Sequence, residues 1–203
     1  MLEFRQIAND EELRELQKLR YEVYCLAKRF LPATDYPDQL ETDEFDAHSI
    51  HFIAIDTDKR PFKILGTLRL ILDSEHRFPV ENHFRLFQTI RERNRTVELS
   101  RLIITPQSRK GLTVPILMGL SREAYRYCLA KNIEHCYAVL EAPFLHILGR
   151  LGLLFEPIGP SEWYFNTENQ PYYLSVSKVD KMLKKNNALF YTSLNESQKA
   201  FIV

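Results

Sequence analysis

Charged side chains inside apolar strands are the first residues of this sequence that could do chemistry. Arg69 interrupts the apolar run GTLRLIL, and Glu98 and Arg101 interrupt VELSRLII. Ionised groups are rarely buried unless they are paired or functional. Two arginines and one glutamate on central strands therefore predict a polar cleft. A structural Arg–Glu bridge between neighbouring strands is the alternative.

The spacing of Glu98 and Arg101 sets a geometric condition on this cleft. Side chains of a regular strand alternate between its two faces, so residues three apart point in opposite directions. A β-bulge between the two residues would bring both to one side. Without a bulge, Arg101 is expected to be a structural residue or to serve the opposite face.

The acidic segment ETDEFD, residues 41–46, stands just before a predicted strand. Carboxylates this close together need cationic partners, and Arg20 and Arg69 are candidates. A carboxylate held by arginine has a lowered pKa and stays anionic at neutral pH. A solvated acidic loop is the alternative.

A basic loop, QSRKG at residues 107–111, precedes a predicted helix. A helix N-terminus offers free N–H groups and the positive end of the helix dipole to a phosphate. We therefore expect Arg109, Lys110 and Gly111 to bind a phosphate, with a loop of no ligand function as the alternative.

Other chemistries lack their signatures. His48 and His51 have no further ligands at zinc spacing, so no metal site is predicted. Ser100 lacks a nucleophile elbow, and the six glycines form no GxGxxG motif. We expect these histidines and this serine to be hydrogen-bonded structural residues.

Composition predicts one α/β domain over residues 1–203, because 45% of the chain is hydrophobic. Basic and acidic residues balance at 27 each, so the protein as a whole gives no charge argument for nucleic acid or an anionic membrane. Any charge-directed partner must meet a local patch.

Three cysteines without a CxxC pair predict reduced, buried thiols, as in a cytoplasm. The charged N-terminal segment and the absence of a long apolar run predict no export signal and no membrane span. We therefore expect a cytoplasmic protein.

Hydrophobic periodicity predicts the elements that would position these residues. The predicted order is a helix over 10–28 capped by Asn9 or Asp10, a long loop over 31–46, strands over 51–56, 63–72 and 96–105, a helix over 111–131, a strand over 133–140, a helix over 143–151, one or two strands over 162–176 with a turn at 166–171, and a basic helix or solvated end over 177–187. This order predicts mixed α/β structure with an antiparallel first half and later crossovers.

Four segments in register resemble the successive motifs of acyl-homoserine-lactone synthases. They are LRYEVYCLAKRFL (19–31), ETDEFDAHSIHFIAI (41–55), GTLRLI (66–71) and ELSRLIITP (98–106). The residues that match the family motifs are Arg20, Tyr24, Asp43, Asp46, Arg69, Glu98 and Arg101. Phe30 stands where the family has a tryptophan, which leaves the substrate pocket open.

The wording of residues 20–31 and 35–52 is closer to the acyltransferases of exosortase (PEP-CTERM) systems and to N-acyl amino acid synthases. The motifs cover the first half of the chain, and beyond residue 106 only the element order supports the comparison. The resemblance implies a three-layer α-β-α fold of the GNAT acyltransferase type with a splayed central mixed sheet, in a bacterial cytoplasmic enzyme.

The same resemblance implies transfer of a fatty acyl group from a phosphopantetheine thioester, carried by acyl carrier protein or coenzyme A, to the amine of an amino acid or similar small acceptor. No permanently bound cofactor is expected. Glu98 would be the base, and Arg101 would position it or the pantetheine arm. Arg20, Asp43, Asp46 and Arg69 would shape the acceptor side, with Arg20 or Arg69 holding an acceptor carboxylate.

Carrier protein is favoured over coenzyme A because four basic residues that could meet an acidic partner lie beside or on the predicted helix, namely Arg109, Lys110, Arg122 and Arg126. Arg122 and Arg126 share one helical face. Two alternatives remain. One is a lactone-forming autoinducer synthase that uses S-adenosylmethionine. The other is a catalytically silent module of the same fold that binds acyl carrier protein or a lipid.

Overall fold

The computed structural model describes residues 1–58, 63–105 and 111–195. Its strands are β1 (Leu2–Gln6), β2 (Ser49–Asp56), β3 (Lys63–Leu72), β4 (Thr96–Ile104), β5 (His135–Leu140), β6 (Glu156–Pro157), β7 (Glu162–Tyr164) and β8 (Thr167–Ser175). Its α-helices are α1 (Asp10–Tyr21), α2 (Pro79–His83), α3 (Thr113–Ala130), α4 (Ala142–Arg150), α5 (Val179–Asn186) and α6 (Ala188–Asn195).

The strands form one twisted sheet in the order β1-β2-β3-β4-β5-β8-β6, with β7 attached to β8. Neighbouring strands are antiparallel except β4 and β5, which are parallel and pair only through Thr96–Leu99 and His135–Ala138. Both strands continue past this pairing, β4 to Ile104 and β5 to Leu140. The sheet therefore splays at its centre, and the prediction of a splayed mixed sheet is confirmed.

Helices cover both faces of the first half of the sheet. On β2, Phe52 and Ala54 belong to the main core together with the buried residues of α3, whereas Ile53 packs with Leu16 of α1. This alternation follows from the two-residue period of a strand. Gly66 lets α3 approach closely, because a Cβ there would lie 2.7 Å from the Ile116 side chain. The three-layer prediction is confirmed.

The predicted helix over residues 10–28 changes its winding partway along. Asn9 caps α1 by accepting a hydrogen bond from the backbone of Glu12, and after Tyr21 the chain continues as a π-helix over Glu22–Ala27. The wider turn shifts the helical phase, so Leu26, which would continue the apolar face in a regular α-helix, is 53% exposed. The neighbouring Cys25 is buried instead.

A β-bulge interrupts β4 where the sequence required one. Thr67 lies opposite Ile103 and Arg69 lies opposite Ser100, so Arg101 and Leu102 together oppose a single residue of β3. Arg101 has a φ of 49°, in the left-handed region. The bulge reverses the alternation after Ser100 and turns the Arg101 side chain to the same side as Glu98.

The last third of the chain differs most from the prediction. The turn of the β7–β8 hairpin lies at Phe165–Asn166, and residues 167–171, predicted as turn, belong to β8. The basic tail is a packed helix, since Leu183 of α5 is fully buried. Strands β1 and β6 and helices α2 and α6 were not predicted.

The remaining whole-chain expectations concern cysteines and membrane spans. The three cysteines, Cys25, Cys128 and Cys136, are free and buried, as predicted. Among the helices of the described ranges, none is long and apolar enough to cross a membrane.

Candidate active site

A cavity of about 420 Å³ occupies the splay between β4 and β5. Glu98 and Arg101 line it from β4, and Glu141 lines it just beyond β5. The segment after α1 and the β7–β8 hairpin complete its wall. The sheet therefore places the two charged residues of β4 in the polar cleft that the sequence predicted.

Three arginines and three carboxylates form one ionic network along this cavity. We call it the arginine–carboxylate network, and its members are Arg20, Arg69, Arg101, Glu41, Asp43 and Asp46. Arg20 contacts Glu41 and lies 2.7 Å from Asp46. The acidic segment is thus paired rather than solvated, and Arg20 and Arg69 are confirmed among its partners.

Arg69 binds the acidic segment with its paired guanidinium N–H groups. Its Nη1 and Nη2 donate to the two Asp43 carboxylate oxygens at 2.6 and 2.8 Å. Nη1 also reaches Asp46 at 2.6 Å, and Nε donates to the Ser100 hydroxyl at 2.9 Å.

Arg101 is the third cation of the network, a role that the sequence did not assign to it. Its Nη2 donates to Glu41 at 2.6 Å and to Asp43 at 2.9 Å. The bulge makes this contact possible, because it turns Arg101 toward the acidic segment. The side chain is therefore fixed by two carboxylates beside the candidate base.

The network keeps Glu41 and Asp43 ionised. Burial alone would raise the pKa of Glu41, but the Arg101 and Arg20 guanidinium groups outweigh burial and lower it to about 2. The pKa of Asp43 is also lowered, because hydrogen bonding and charge from Arg69 outweigh burial. These groups hold fixed charges at neutral pH and do not exchange protons there.

The geometry does not support the expectation that Arg20 or Arg69 holds the carboxylate of an acceptor. Arg20 has no solvent exposure, so it stabilises the acidic segment from behind rather than contacting an acceptor. Arg69 lines the cavity, yet its paired donors already hold Asp43. Neither residue offers a free fork to an acceptor carboxylate.

Glu98 differs from the three network carboxylates. It is 3% exposed, and its Oε2 accepts a hydrogen bond from the Val80 backbone N–H of α2 at 2.9 Å. No arginine of the described residues lies within ion-pairing distance of it, so the alternative of an Arg–Glu bridge between strands is wrong. Burial raises the pKa of Glu98 to about 8.

Aromatic rings form the opposite wall of the cavity. Tyr24 lies 5.8 Å from Phe30, and Phe30 stacks on Phe165 of the β7–β8 turn at 6.4 Å, centroid to centroid. The Arg101 guanidinium carbon lies 5.3 Å from the Tyr24 ring and 5.4 Å from the Phe165 ring. Phe30 thus lines the cavity, and its role in binding a substrate stays a prediction.

The sequence did not identify Phe165 or its neighbour Tyr164, although the two rings stack at 4.1 Å beside the cavity. They belong to a hairpin that begins about sixty residues after the end of β4. Asn166 fixes the hairpin by donating from its side-chain amide to the Arg29 carbonyl at 2.8 Å. The aromatic-rich WYFN turn was the available signal.

Only Gly111 of the predicted phosphate loop lies within the described residues. Arg109 and Lys110 lie outside the described residues, whereas Gly111 has a φ of 95° and stands two residues before α3. The positive φ suits a glycine at the entry to the helix. Phosphate binding by this loop stays a prediction.

The expected docking face on α3 is wrong, because Arg122 is buried. Its side chain is 5% exposed and its guanidinium carbon lies 5.6 Å from the Phe4 ring of β1. Its Nε donates to Glu123 at 3.0 Å. An acidic partner cannot reach Arg122 without unfolding this packing, so the pair Arg122 and Arg126 gives no argument for a carrier protein.

His51 lies buried on β2 next to the arginine–carboxylate network, and burial lowers its pKa to about 4. It is therefore neutral at neutral pH. The described residues contain no group of three or more histidine, cysteine, aspartate or glutamate side chains that could hold a metal ion.

Comparison with known proteins places this geometry in a class. Residues 19–119 match the model of the acetyltransferase (GNAT) domain. No curated protein sequence matches the chain. This segment therefore resembles a GNAT acyltransferase domain, and the mixed, splayed sheet is the fold of that class.

Solved structures share this fold over nearly the whole chain. BjaI, a CoA-dependent acyl-homoserine lactone synthase solved with SAM and isopentyl-CoA, is 16% identical with a TM-score of 0.75, covering 91% of this chain and 89% of BjaI. The acyl-homoserine lactone synthase LasI is 18% identical with a TM-score of 0.70, covering 93% and 94%.

FeeM, an N-acyl amino acid synthase from uncultured soil microbes, is 14% identical with a TM-score of 0.66, covering 91% of this chain and 96% of FeeM. The structural relationship to both groups, expected from the four motifs, is confirmed. The association with exosortase systems stays a prediction.

Proposed function

We propose that this protein is an N-acyltransferase that moves a fatty acyl group from a phosphopantetheine thioester to the amine of an amino acid or similar small acceptor. The observation that carries the proposal is the position and protonation of Glu98. A buried carboxyl group with a pKa near 8 in the cavity at the splay can accept and return a proton near neutral pH.

The proposed reaction needs one proton transfer through Glu98. The neutral amine attacks the thioester carbonyl and forms the N–C bond, while the Glu98 carboxylate takes a proton from the nitrogen. The C–S bond then breaks, and the departing thiolate takes that proton from Glu98. The carboxylate is restored, and the products are an amide and a free thiol.

The carbonyl oxygen gains negative charge in this step and requires donors. Arg101 and Leu102 stand outside the one-to-one register with β3, so the bulge is the proposed source of backbone N–H groups for this oxygen. Arg101 itself is held by Glu41 and Asp43, which supports a role in positioning rather than in proton transfer.

An apolar cavity supports a fatty acyl donor. This second cavity, about 80 Å³, lies in the core and shares four lining residues with the larger one: Leu99, Leu102, Leu140 and Phe144. Its other walls come mainly from α3, α5 and α6. An acyl chain whose thioester sits beside Glu98 could extend past these four side chains into the core.

The acceptor side supports a small polar amine. Asp43, Glu98 and Glu141 line the cavity together with Arg69 and Arg101, so the wall carries both signs of charge. Lys28 also lines it and forms no ion pair with a described carboxylate. Lys28 therefore replaces Arg20 and Arg69 as the proposed partner of an acceptor carboxylate.

Product analysis tests the proposal directly. The purified protein would be incubated with acyl-CoA or with acyl carrier protein loaded with the same chain, and with a mixture of amino acids. We expect N-acyl amino acids by mass spectrometry, and Glu98→Gln is the matched inactive control. The ratio of rates with the two donors identifies the carrier. Donor binding without any acylated product would show a silent module.

A lactone-forming autoinducer synthase is the second candidate, favoured by the higher TM-scores of BjaI and LasI relative to FeeM. The same incubation with S-adenosylmethionine separates the two. If an acyl-homoserine lactone were the sole product, the proposed amino-acid acceptor would be wrong and the protein would be an autoinducer synthase.

A further inference from the structure

Two segments outside the arginine–carboxylate network carry a net positive charge because they contain few carboxylates. Residues 142–155 and 177–195 together contain five lysines and arginines and one carboxylate, whereas the whole chain has 27 of each sign. The single carboxylate, Asp180, accepts a hydrogen bond from the Tyr125 hydroxyl at 2.8 Å. The charge of these segments is therefore one-sided.

The two segments form one continuous surface. The backbone N–H of Leu154 contacts the Met182 sulfur of α5 at 3.0 Å, and the Asn187 amide donates to the Leu151 carbonyl at 3.1 Å. Gly152, with a φ of 87°, allows this contact, because a Cβ there would lie 3.0 Å from the Asn186 Cβ. The end of α4 is thus joined to α5.

We call the outer side of this unit the basic surface; its members are Arg150, Leu154, Lys181, Lys184, Lys185 and Leu189. On α5 the three lysines face away from the buried Val179 and Leu183, as the helical period requires. Within the described part of the chain, none of the four cations forms an ion pair.

Exposed leucines lie among these cations. Leu154 is 53% exposed and Leu189 is 82% exposed. Surfaces that bind an anionic bilayer typically combine lysines and arginines with exposed aliphatic residues. The cations contact the headgroup phosphates, and the aliphatic side chains enter the interface. An acidic protein would instead need a complementary apolar pocket for each leucine.

We propose that the basic surface binds the anionic headgroups of a lipid bilayer, with Leu154 and Leu189 entering the interface. The same helices, α5 and α6, supply Val179, Leu183 and Phe190 to the wall of the apolar core cavity. The bilayer thus contacts the outer side of the elements whose inner side lines that cavity. An amphiphile released from the protein could leave directly into the membrane.

Vesicle co-sedimentation tests the proposal with the protein alone. Wild-type protein should sediment with vesicles of phosphatidylcholine plus phosphatidylglycerol, and much less with phosphatidylcholine alone. Lys181→Glu with Lys185→Glu should lower the partition coefficient at least about tenfold, since each cation near an anionic surface contributes about 1 kcal/mol. Leu154→Asn with Leu189→Asn should weaken binding and leave its salt dependence.

The matched control reverses two exposed arginines elsewhere, Arg14→Glu with Arg91→Glu, and should bind the vesicles as the wild type does. Unchanged binding by the lysine variant, or equal binding to neutral vesicles, would overturn the proposal. So would a lysine variant that keeps vesicle binding but reacts more slowly with acyl carrier protein than with acyl-CoA, because the surface would then serve an acidic protein. The vesicle assay uses no acyl donor, so it stands whether or not the proposed function does.

Discussion

The arginine–carboxylate network and Glu98 lie at the same cavity, yet the pKa values of their buried carboxyl groups are shifted in opposite directions. Glu41 and Asp43 are held by arginines that outweigh the effect of burial on their pKa values. Glu98 has a backbone N–H as its hydrogen-bond donor, so burial dominates and raises its pKa to about 8. The first group supplies fixed charge, and the second can move a proton.

The difference follows from the neighbours that the fold supplies. The acidic segment is a loop that can bend around three arginine side chains from α1, β3 and β4. Glu98 is fixed on β4, where it is buried and accepts a hydrogen bond from the Val80 backbone N–H of α2. Glu98 is the candidate base because the fold places no cationic side chain within ion-pairing distance of it.

The largest expected effect is on stability, from breaking the network. Glu41→Ala leaves Arg20 and Arg101 without their shared carboxylate. A buried charge without its partner costs about 3–5 kcal/mol, so the free energy of unfolding in urea should fall by about that amount. The neighbouring Glu44 is exposed, and Glu44→Ala is the matched control. Equal losses in both variants would contradict a special role for the network.

The second effect is on the rate of acyl transfer. Glu98→Gln keeps the shape of the side chain and an oxygen for the Val80 N–H but removes the base. Turnover near neutral pH should fall at least about a hundredfold, while donor binding changes no more than a few-fold. Rates would come from steady-state kinetics and binding from calorimetry. Near-normal turnover would exclude Glu98 from the mechanism.

The third effect is the pH dependence of stability, and it has the opposite sign for the two regions. Because the pKa of Glu98 is raised to about 8, the folded protein keeps a proton that the unfolded chain loses above about pH 4.3, so stability falls as pH rises through this window. Between about pH 5 and about pH 7 the loss is roughly 2–3 kcal/mol.

Glu98→Gln lacks this group and should become more stable than the wild type as pH rises, measured by urea unfolding at both pH values. The network behaves the other way. The pKa of Glu41 is lowered to about 2, so its contribution is present above the unfolded pKa and is lost as pH falls toward 2. Parallel pH profiles for wild type and Glu98→Gln would contradict the raised pKa of Glu98.

The sequence predicted the parts of the site that local patterns encode. Charges inside apolar strands and carboxylates crowded in a loop can be recognised from the sequence alone. These two patterns identified Arg69, Glu98 and Asp43. The pairing of Arg101 with Glu41 was not predictable, because it depends on a β-bulge. A bulge could only be named as a condition, since nothing in VELSRLII places a glycine there.

Contacts between distant segments account for the remaining errors. Arg122 reads as a surface residue of a helix, and its burial depends on β1, which places Phe4 beside it. The close approach is possible because Gly119 of α3 lacks a Cβ, which would lie 2.3 Å from the Phe4 ring. The aromatic wall from the β7–β8 hairpin was missed for the same reason. Helical periodicity reports which face is apolar but not which strand crosses it.

The smallest expected effect comes from Arg93, which we predict to position Glu98 from a distance. Its Nη1 donates to both Glu81 carboxylate oxygens, at 3.0 and 2.7 Å, and its Nε donates to Asp73 at 2.8 Å. These contacts fix α2, whose Val80 N–H is the donor to Glu98. Arg93→Gln should loosen this hydrogen bond and leave the negative charge of Glu81 without its main partner.

Both consequences of Arg93→Gln favour the protonated form of Glu98, since the Val80 hydrogen bond lowers its pKa and the Glu81 charge raises it. The rising limb of the pH–rate profile should therefore move to higher pH by less than about one pH unit. Near neutral pH, kcat should fall a few-fold and recover in mild alkali. KM should not change. Arg93→Lys should restore part of the profile. Arg95→Gln is the matched control, because Arg95 pairs with Glu92 and Glu134 at the surface. A loss in Arg93→Gln that is the same at every pH would show a structural role alone, and Glu98 would then be held by the packing of α2 rather than by its ion pair.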